Sequence, residues 1–262
     1  MKKIFVATPT YNNNLHLGYV QSMFLIQEEK KNFEVKFNFI SGSLINRCRN
    51  ELLAIFLNSD FDYIFFIDSD LSDFNNAFFD VVKKYIELEK ENPLLITGAL
   101  YPIKELKFER IPDLIKSNVK PEDAHKFLMS FNFNCDTPAN NLLDNCKNNN
   151  GWLDVNALGG GFMMFSKNLV LKLIKNNPDS MYLRYPNQNQ LPEKLYDLFK
   201  SFVEKENNMY LSEDYGFCYL VKKLSGKIFV NMFHEIGHIG SYKYKGEPVS
   251  QAVYSFLTKN KY

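Results

Sequence analysis

The sequence predicts an α/β fold, a doubly wound and mostly parallel central sheet flanked by helices. Three observations carry this expectation. Short apolar runs alternate with segments of helical periodicity through about residue 100, the pattern of strands joined by helical crossovers. The run Tyr63-Ile64-Phe65-Phe66-Ile67 is apolar without alternation, as in a strand buried on both faces. That run leads straight into Asp68-Ser69-Asp70. Two carboxylates therefore fall at a strand's carboxyl end, the edge where open α/β sheets bind ligands.

Taken in order, Ile4–Ala7 reads as a short buried strand, ended by the polar turn Thr8-Pro9-Thr10-Tyr11-Asn12, whose Pro stops the ladder. A helix is expected from about Leu15 to Glu29, and Val35–Ile40 alternates as a second strand. After the turn Ser41-Gly42-Ser43, the residues Ile45, Cys48, Leu52, Ile55 and Phe56 repeat at helical spacing. The Asp68–Asp70 strand is third. A helix with Phe78, Val81, Val82 and Tyr85 on one face follows, and Leu94–Thr97 is the fourth strand. From Tyr101 to about Asn150 the pattern breaks around Pro102, Pro112, Pro121 and Pro138. This reads as an irregular insertion with short helices, of the kind that forms lids and binding loops. Val155–Phe165 resumes the sheet across Gly159-Gly160-Gly161, a helix follows near Lys167–Lys175, and Tyr182–Pro186 is an aromatic loop. Ser212 is placed to cap a helix carrying Glu213 and Asp214 in its first turn. Lys227–Val230 is a late strand, and Val249–Leu257 a terminal helix. The whole of 1–262 is expected to be one domain, with a nucleotide-binding half over about 1–100 and an acceptor half over about 151–246.

Composition narrows the function. A chain of 262 residues at net charge +1, without a long run of one sign, is no general nucleic-acid or membrane-surface binder. Cys48, Cys135, Cys146 and Cys218 show no Cys-x-x-Cys spacing and read as reduced thiols of a cytoplasmic protein. The apolar run after Met1-Lys2-Lys3 is too short for a signal peptide or a membrane span.

Four segments are candidates to carry chemistry. Asp68 and Asp70 repel one another unless a divalent cation neutralises them, and Mg²⁺ or Mn²⁺ prefers such oxygen ligands together with substrate phosphates. A solvated acidic turn fits the same letters. Arg47 and Arg49 are two of only four arginines and sit in the first turns of a helix, which suits an anion, or pairing with Glu51. Gly159–Gly161 suggests a bend where a ligand or another backbone comes close, or a bulge. His234-Glu235-Ile236-Gly237-His238 satisfies the letters of a zinc-protease motif. Gly237, Gly240 and Pro248 argue against the helix that such a site needs.

The order of the pieces is more specific than any one of them. A first strand ending Thr8-Pro9-Thr10-Tyr11-Asn12, then Arg47-x-Arg49-Asn50, Asp68-Ser69-Asp70, the glycine-rich strand, Glu213-Asp214 and a late His238-Ile239-Gly240 together resemble a GT-A-type glycosyltransferase. The resemblance is to the group related to family 2 and to viral and bacterial sugar transferases, and covers about residues 4–246. It implies a Rossmann-like GT-A domain and transfer of a sugar, with UDP the favoured nucleotide, to a glycan, lipid-linked or protein acceptor. By the same resemblance Thr8, Thr10 and Tyr11 border the nucleotide. Arg47 and Arg49 meet its base or diphosphate. Asp68 with Ser69 lies at the ribose or metal, and Gly160 and Gly161 let the donor sugar or the acceptor approach the backbone. Asp70, Asp68 and His238 hold Mn²⁺ or Mg²⁺, and Asp214, or Glu213, is the general base of an inverting reaction. No Gln-x-x-Arg-Trp motif occurs, which argues against a processive synthase. A nucleotidyltransferase, an inactive nucleotide-sugar-binding protein and, through His234 and His238, a zinc protease are the alternatives.

Overall fold

A computed structural model of the chain describes residues 1–30, 32–188 and 190–259. The first hundred residues form β1 (Lys2–Thr10), α1 (Leu17–Glu29), β2 (Phe33–Ser41), α2 (Ile45–Leu57), β3 (Tyr63–Ile67), β4 (Leu71–Ser72), α3 (Asn75–Leu88) and β5 (Leu95–Ala99). The expected insertion is more regular than its prolines suggest. β6 (Pro102–Leu106) pairs antiparallel with β7 (Met129–Phe131), and α4 (Ile111–Lys116) and α5 (Pro121–Phe127) lie between them. Both short helices use proline in their first turn, where its missing N–H is harmless. β8 (Phe133–Asn134) and α6 (Ala139–Asn148) complete the segment.

The expected strand over 155–165 is two pieces, β10 (Ala157–Leu158) and β11 (Phe162–Ser166), preceded by β9 (Trp152–Asp154) and followed by α7 (Lys167–Asn176). Part of the expected aromatic loop is a strand: β12 (Met181–Leu183) pairs with β13 (Lys194–Tyr196), and β14 (Phe202–Val203) pairs with β15 (Tyr210–Leu211). The chain ends with α8 (Glu213–Lys223), β16 (Lys227–Asn231), β17 (Gly237–Ile239), β18 (Lys243–Lys245) and α9 (Val249–Lys259).

Among the described residues the central sheet has seven strands in the order β2-β1-β3-β11-β5-β16-β9. It is mixed, where the strand–helix alternation predicts a mostly parallel sheet. β2, β1, β3, β5 and β16 run one way, and β11 and β9 run against their neighbours. The reason lies in the glycines. The segment before β11 already sits at the carboxyl edge, where the Gly161 carbonyl accepts the Asp68 N–H at 2.9 Å, so β11 enters from that edge and runs back down. β1 also continues through Pro9 instead of stopping there. Its pairing with β3 ends at Ala7↔Phe66 while its pairing with β2 continues to Thr10↔Ser41, so Pro9 falls where the strand has one neighbour and a missing donor is tolerated.

Alternation along the strands explains the two covered faces. Phe65 stacks on Phe78 of α3 with ring centroids 4.9 Å apart, while the next residue, Phe66, meets Phe199 at 5.1 Å. Phe5 packs on Phe56 of α2, and Thr8 meets Tyr19 of α1. One apolar cluster runs from Ile4 to Ala252 and draws on both halves of the chain. Cys48, Cys146 and Cys218 are buried, and none of the four cysteines is in a disulfide. Burial pushes the Cys218 thiol up to about 12, a packing role and not a nucleophilic one. No helix among the described residues is long and apolar enough to cross a membrane.

Candidate functional site at the carboxyl edge of the sheet

Arg49 is the centre of a buried knot. It lies in the second turn of α2 and its side chain is 3% exposed. Its Nη2 donates to both Asp68 oxygens at 2.9 and 3.1 Å, and its Nη1 donates to the Gly160 carbonyl at 2.9 Å. Phe66 and Phe199 carry their rings 5.5 and 6.0 Å from the guanidinium carbon. The remaining donor, Nε, has no hydrogen bond among the described residues and lies 3.8 Å from Glu213 Oε1. The planar fork suits this crowded place; an ammonium would not span the carboxylate and the carbonyl together. Asn50 ties the next segment down. Its Nδ2 donates to Asp197 Oδ1 at 2.8 Å and its Oδ1 accepts the Phe199 N–H at 2.9 Å. Burial pushes the Asp68 carboxyl up, Arg49 opposes this, and Asp70 adds to it. Burial and then Asp214 raise Glu213, again against Arg49.

The glycines are required by close approach. A Cβ on Gly161 would fall 2.5 Å from both Asp68 Oδ2 and the Tyr101 hydroxyl, and one on Gly160 would fall 3.1 Å from the Arg49 guanidinium. The Gly161 N–H donates to the Tyr101 hydroxyl at 2.9 Å.

Asp70 belongs to a second, more open group. β17 pairs with β4 in the register His238↔Leu71, and the Ile239 N–H donates to the Asp70 carbonyl at 2.8 Å. This pairing brings His238 Nε2 to 3.4 Å from Asp70 Oδ2. The other ring nitrogen, Nδ1, is 2.7 Å from the Pro102 carbonyl. A carbonyl only accepts, so Nδ1 carries the proton, and a neutral ring presents a lone pair at Nε2. Lys104 of β6 donates to the same Asp70 oxygen at 2.6 Å. Burial pushes the Asp70 carboxyl up, but the His238 and Lys104 contacts outweigh it and hold the pKa at about 2.

Opposite this pair stands Asp214 in the first turn of α8. Its Oδ2 accepts the Gly160 N–H at 3.1 Å, and its Oδ1 accepts the Tyr215 N–H at 2.8 Å and the Ser212 hydroxyl. Ser212 thus bonds a carboxylate instead of capping the backbone as its position predicts. A cleft of ≈300 Å³ lies between the groups, lined by Tyr101, Ile103, Lys104, Asn132, Gly159, Asp214 and His238 among others. A larger hollow of ≈600 Å³ lies at the carboxyl ends of β1 and β2, beside Asn13, Ser41, Gly42, Arg47 and Gln188.

No protein-family model matches this chain, and no curated protein matches it. Among solved structures it is similar to the crystal structure of A197 from STIV, at 13% identity and a TM-score of 0.49, over 95% of this chain and 91% of that one.

The sequence-predicted residues divide in three. Asp214 and His238 line one cleft, and Asp70 stands behind its lining residues His238 and Lys104. Tyr11, 66% exposed, and Arg47 stay at the open edge, Arg47 bonded to Glu51 at 2.9 Å and 5.7 Å from the Tyr185 ring. The others turn inward. Thr8 is fully buried, with its hydroxyl on Tyr19; Thr10 is 7% exposed and donates to the Ile40 carbonyl at 3.3 Å. Neither borders an open nucleotide site. Arg49 is closed off in the same way, and the space above Gly160 and Gly161 is filled by Arg49, Asp68 and Tyr101 and not left for a donor. Ser69 is half-buried, and its carbonyl accepts the His16 N–H at 3.2 Å.

The donor set decides what a cation could use. Among the described residues no group of three or more His, Cys, Asp or Glu side chains is gathered for a metal. Both Asp68 oxygens accept from Arg49 Nη2, and the Asp68 side chain is 21% exposed. Asp70 and His238 fit: one carboxylate and one imidazole face each other, and the imidazole is fixed through its far nitrogen to a carbonyl, as metal-binding histidines are. Mg²⁺ and Mn²⁺ complete such sets with water and phosphate oxygens. His234 and His238 do not share a helix. His238 is in β17, and His234 Nε2 lies 3.3 Å from Asp80 Oδ2, so the protease motif has no counterpart in space. Sequence reasoning missed Tyr101, Lys104 and Asn132.

Proposed function

We propose that this chain is a GT-A-type glycosyltransferase that moves a sugar from a nucleoside diphosphate sugar to an acceptor hydroxyl. The observation that carries the proposal is the succession along one sheet edge. The hollow over β2 and β1 comes first, then Asp70 with His238 beyond β3, then a cleft faced by Asp214. In this reading the nucleoside lies beside Arg47 and Tyr11, the diphosphate reaches Asp70, and the sugar enters the cleft beside Tyr101 and Asn132. UDP is favoured by the resemblance of the motifs. Asp70 and His238 would hold Mn²⁺ or Mg²⁺, which when bound neutralises charge developing on the departing diphosphate.

In this reading Asp214 takes the acceptor's proton. It lines the cleft, whereas Glu213 is turned toward Arg49. In an inverting transfer the acceptor oxygen bonds to the anomeric carbon, the bond to the diphosphate breaks, and the hydroxyl proton passes to Asp214. In a retaining transfer the same carboxylate orients the acceptor. Calorimetric titration with UDP, GDP and CDP, each with Mn²⁺ and again with EDTA, tests the reading. Metal-dependent binding of one nucleotide is the expected result, and no binding of any of them overturns it.

A further inference from the structure

We propose that Lys104 is a built-in counter-ion that occupies the cation position on Asp70 and exchanges that position for the donor's diphosphate. The inference rests on the glycosyltransferase reading of this cleft. Lys104 Nζ is 2.6 Å from Asp70 Oδ2, the same oxygen that His238 Nε2 faces at 3.4 Å. The Pro102 carbonyl holds the imidazole through Nδ1, and the ammonium of Lys104 places a positive charge on the carboxylate oxygen that the other ring nitrogen faces.

The geometry is built and not incidental. Pro102 gives its backbone carbonyl to His238 Nδ1, and Lys104, two residues on in β6, gives its side chain to Asp70. One strand therefore fixes the imidazole and delivers the ammonium. The Lys104 stem runs over Gly240, where a Cβ would come within 3.2 Å of Cδ. The Lys104 side chain is 39% exposed and lines the cleft, so its ammonium can turn from Asp70 into the cleft.

A divalent cation on Asp70 and His238 competes with the ammonium for Oδ2 and repels it. Lys104 is then released into the cleft with its charge unmatched, and the anion that the proposed reaction brings there is the diphosphate. Binding of cation and of nucleotide become coupled, each strengthening the other by the same factor.

Mn²⁺ binding followed by electron paramagnetic resonance, with and without UDP, tests this in the wild type and in Lys104→Met. The variant is expected to bind Mn²⁺ alone about five-fold more tightly, since a partly exposed ion pair competes only modestly. At saturating Mn²⁺ it is expected to bind UDP about ten-fold more weakly, having lost a charge-assisted contact. Lys104→Gln should follow Lys104→Met, and both should still unfold in one cooperative transition. Equal Mn²⁺ affinity in wild type and variants, or unchanged coupling between Mn²⁺ and UDP, overturns the role of Lys104 and leaves the transferase reading standing. No Mn²⁺ binding by any of the proteins, with or without UDP, overturns both.

Discussion

Asp70 is held ionised by two neighbours, and that has a pH signature. Its pKa of about 2 lies below the ~3.9 of an unfolded aspartate. The stability it contributes is therefore complete above about pH 4 and is lost as pH falls through about 2. The difference in thermal midpoint between wild type and Asp70→Asn should shrink between pH 5 and pH 2; a constant difference would mean that the carboxylate is not held in this way. Asp214→Asn should lower turnover by roughly 10²- to 10⁴-fold, the usual contribution of a general base, with donor KM little changed. Near-normal turnover would remove Asp214 from that role. Gly161→Ala drives a methyl group into Asp68 and Tyr101, both of them constrained. Overpacking of this kind costs about 1–3 kcal/mol, which a urea unfolding curve would resolve. At this scale the sequence was a fair guide to the outer residues. Asp70, Asp214 and His238 were legible because acids after a buried strand or in a first helical turn, and a late histidine, keep their order along the chain. Lys104 and Tyr101 were not legible, because nothing in Tyr101-Pro102-Ile103-Lys104 distinguishes a site strand from a surface one.

The element with the most to teach is α2. Arg47-x-Arg49-Asn50 reads as an anion-binding helix start, yet its residues divide by their place on the helix. Arg47 faces outward, while Arg49 and Asn50 point into the protein and fasten β3, the glycine loop and the segment at Phe199 to one another. The partners of Arg49 are 19 and 111 residues away in sequence, and no local pattern can announce them. Arg49→Met would leave Asp68 buried without its counter-charge. Breaking a buried pair from one side costs about 3–5 kcal/mol, so this variant should be markedly less stable than Arg47→Met, whose ion pair is half exposed. Comparable melting temperatures for the two would show that the buried knot is not structural. The glycine loop was likewise visible as a constraint, but its cause is side chains pressing on it from three elements, which only the folded chain reveals.

For the molecule as a whole, the alternation of strands and helices gave the α/β class, and the buried aromatic run gave the centre of the sheet. The direction of β11 was hidden, because an apolar strand looks the same in either sense. Hydrogen exchange should follow the resulting layout. Amides of β3 and β11, paired on both sides and packed beneath aromatic rings, should exchange only through global unfolding. Those of β12–β13 and β14–β15, which lie in two-stranded pairs outside the main sheet, should exchange through local opening. Equal protection of the two sets would contradict this hierarchy.

The position of β11 also bears on how the protein is made. Among the central strands, β2, β1 and β3 form one hydrogen-bonded group, and β5 touches it only through β11. A nascent chain that has emerged only as far as residue 150 therefore carries one three-stranded fragment with an open β3 edge and the strand β5 without either of its sheet neighbours, the first of which is residues 162–166. Such edges are templates for pairing with other chains. During synthesis the first half is exposed to that hazard until a five-residue strand arrives from the second half, so truncations before Ser166 should aggregate.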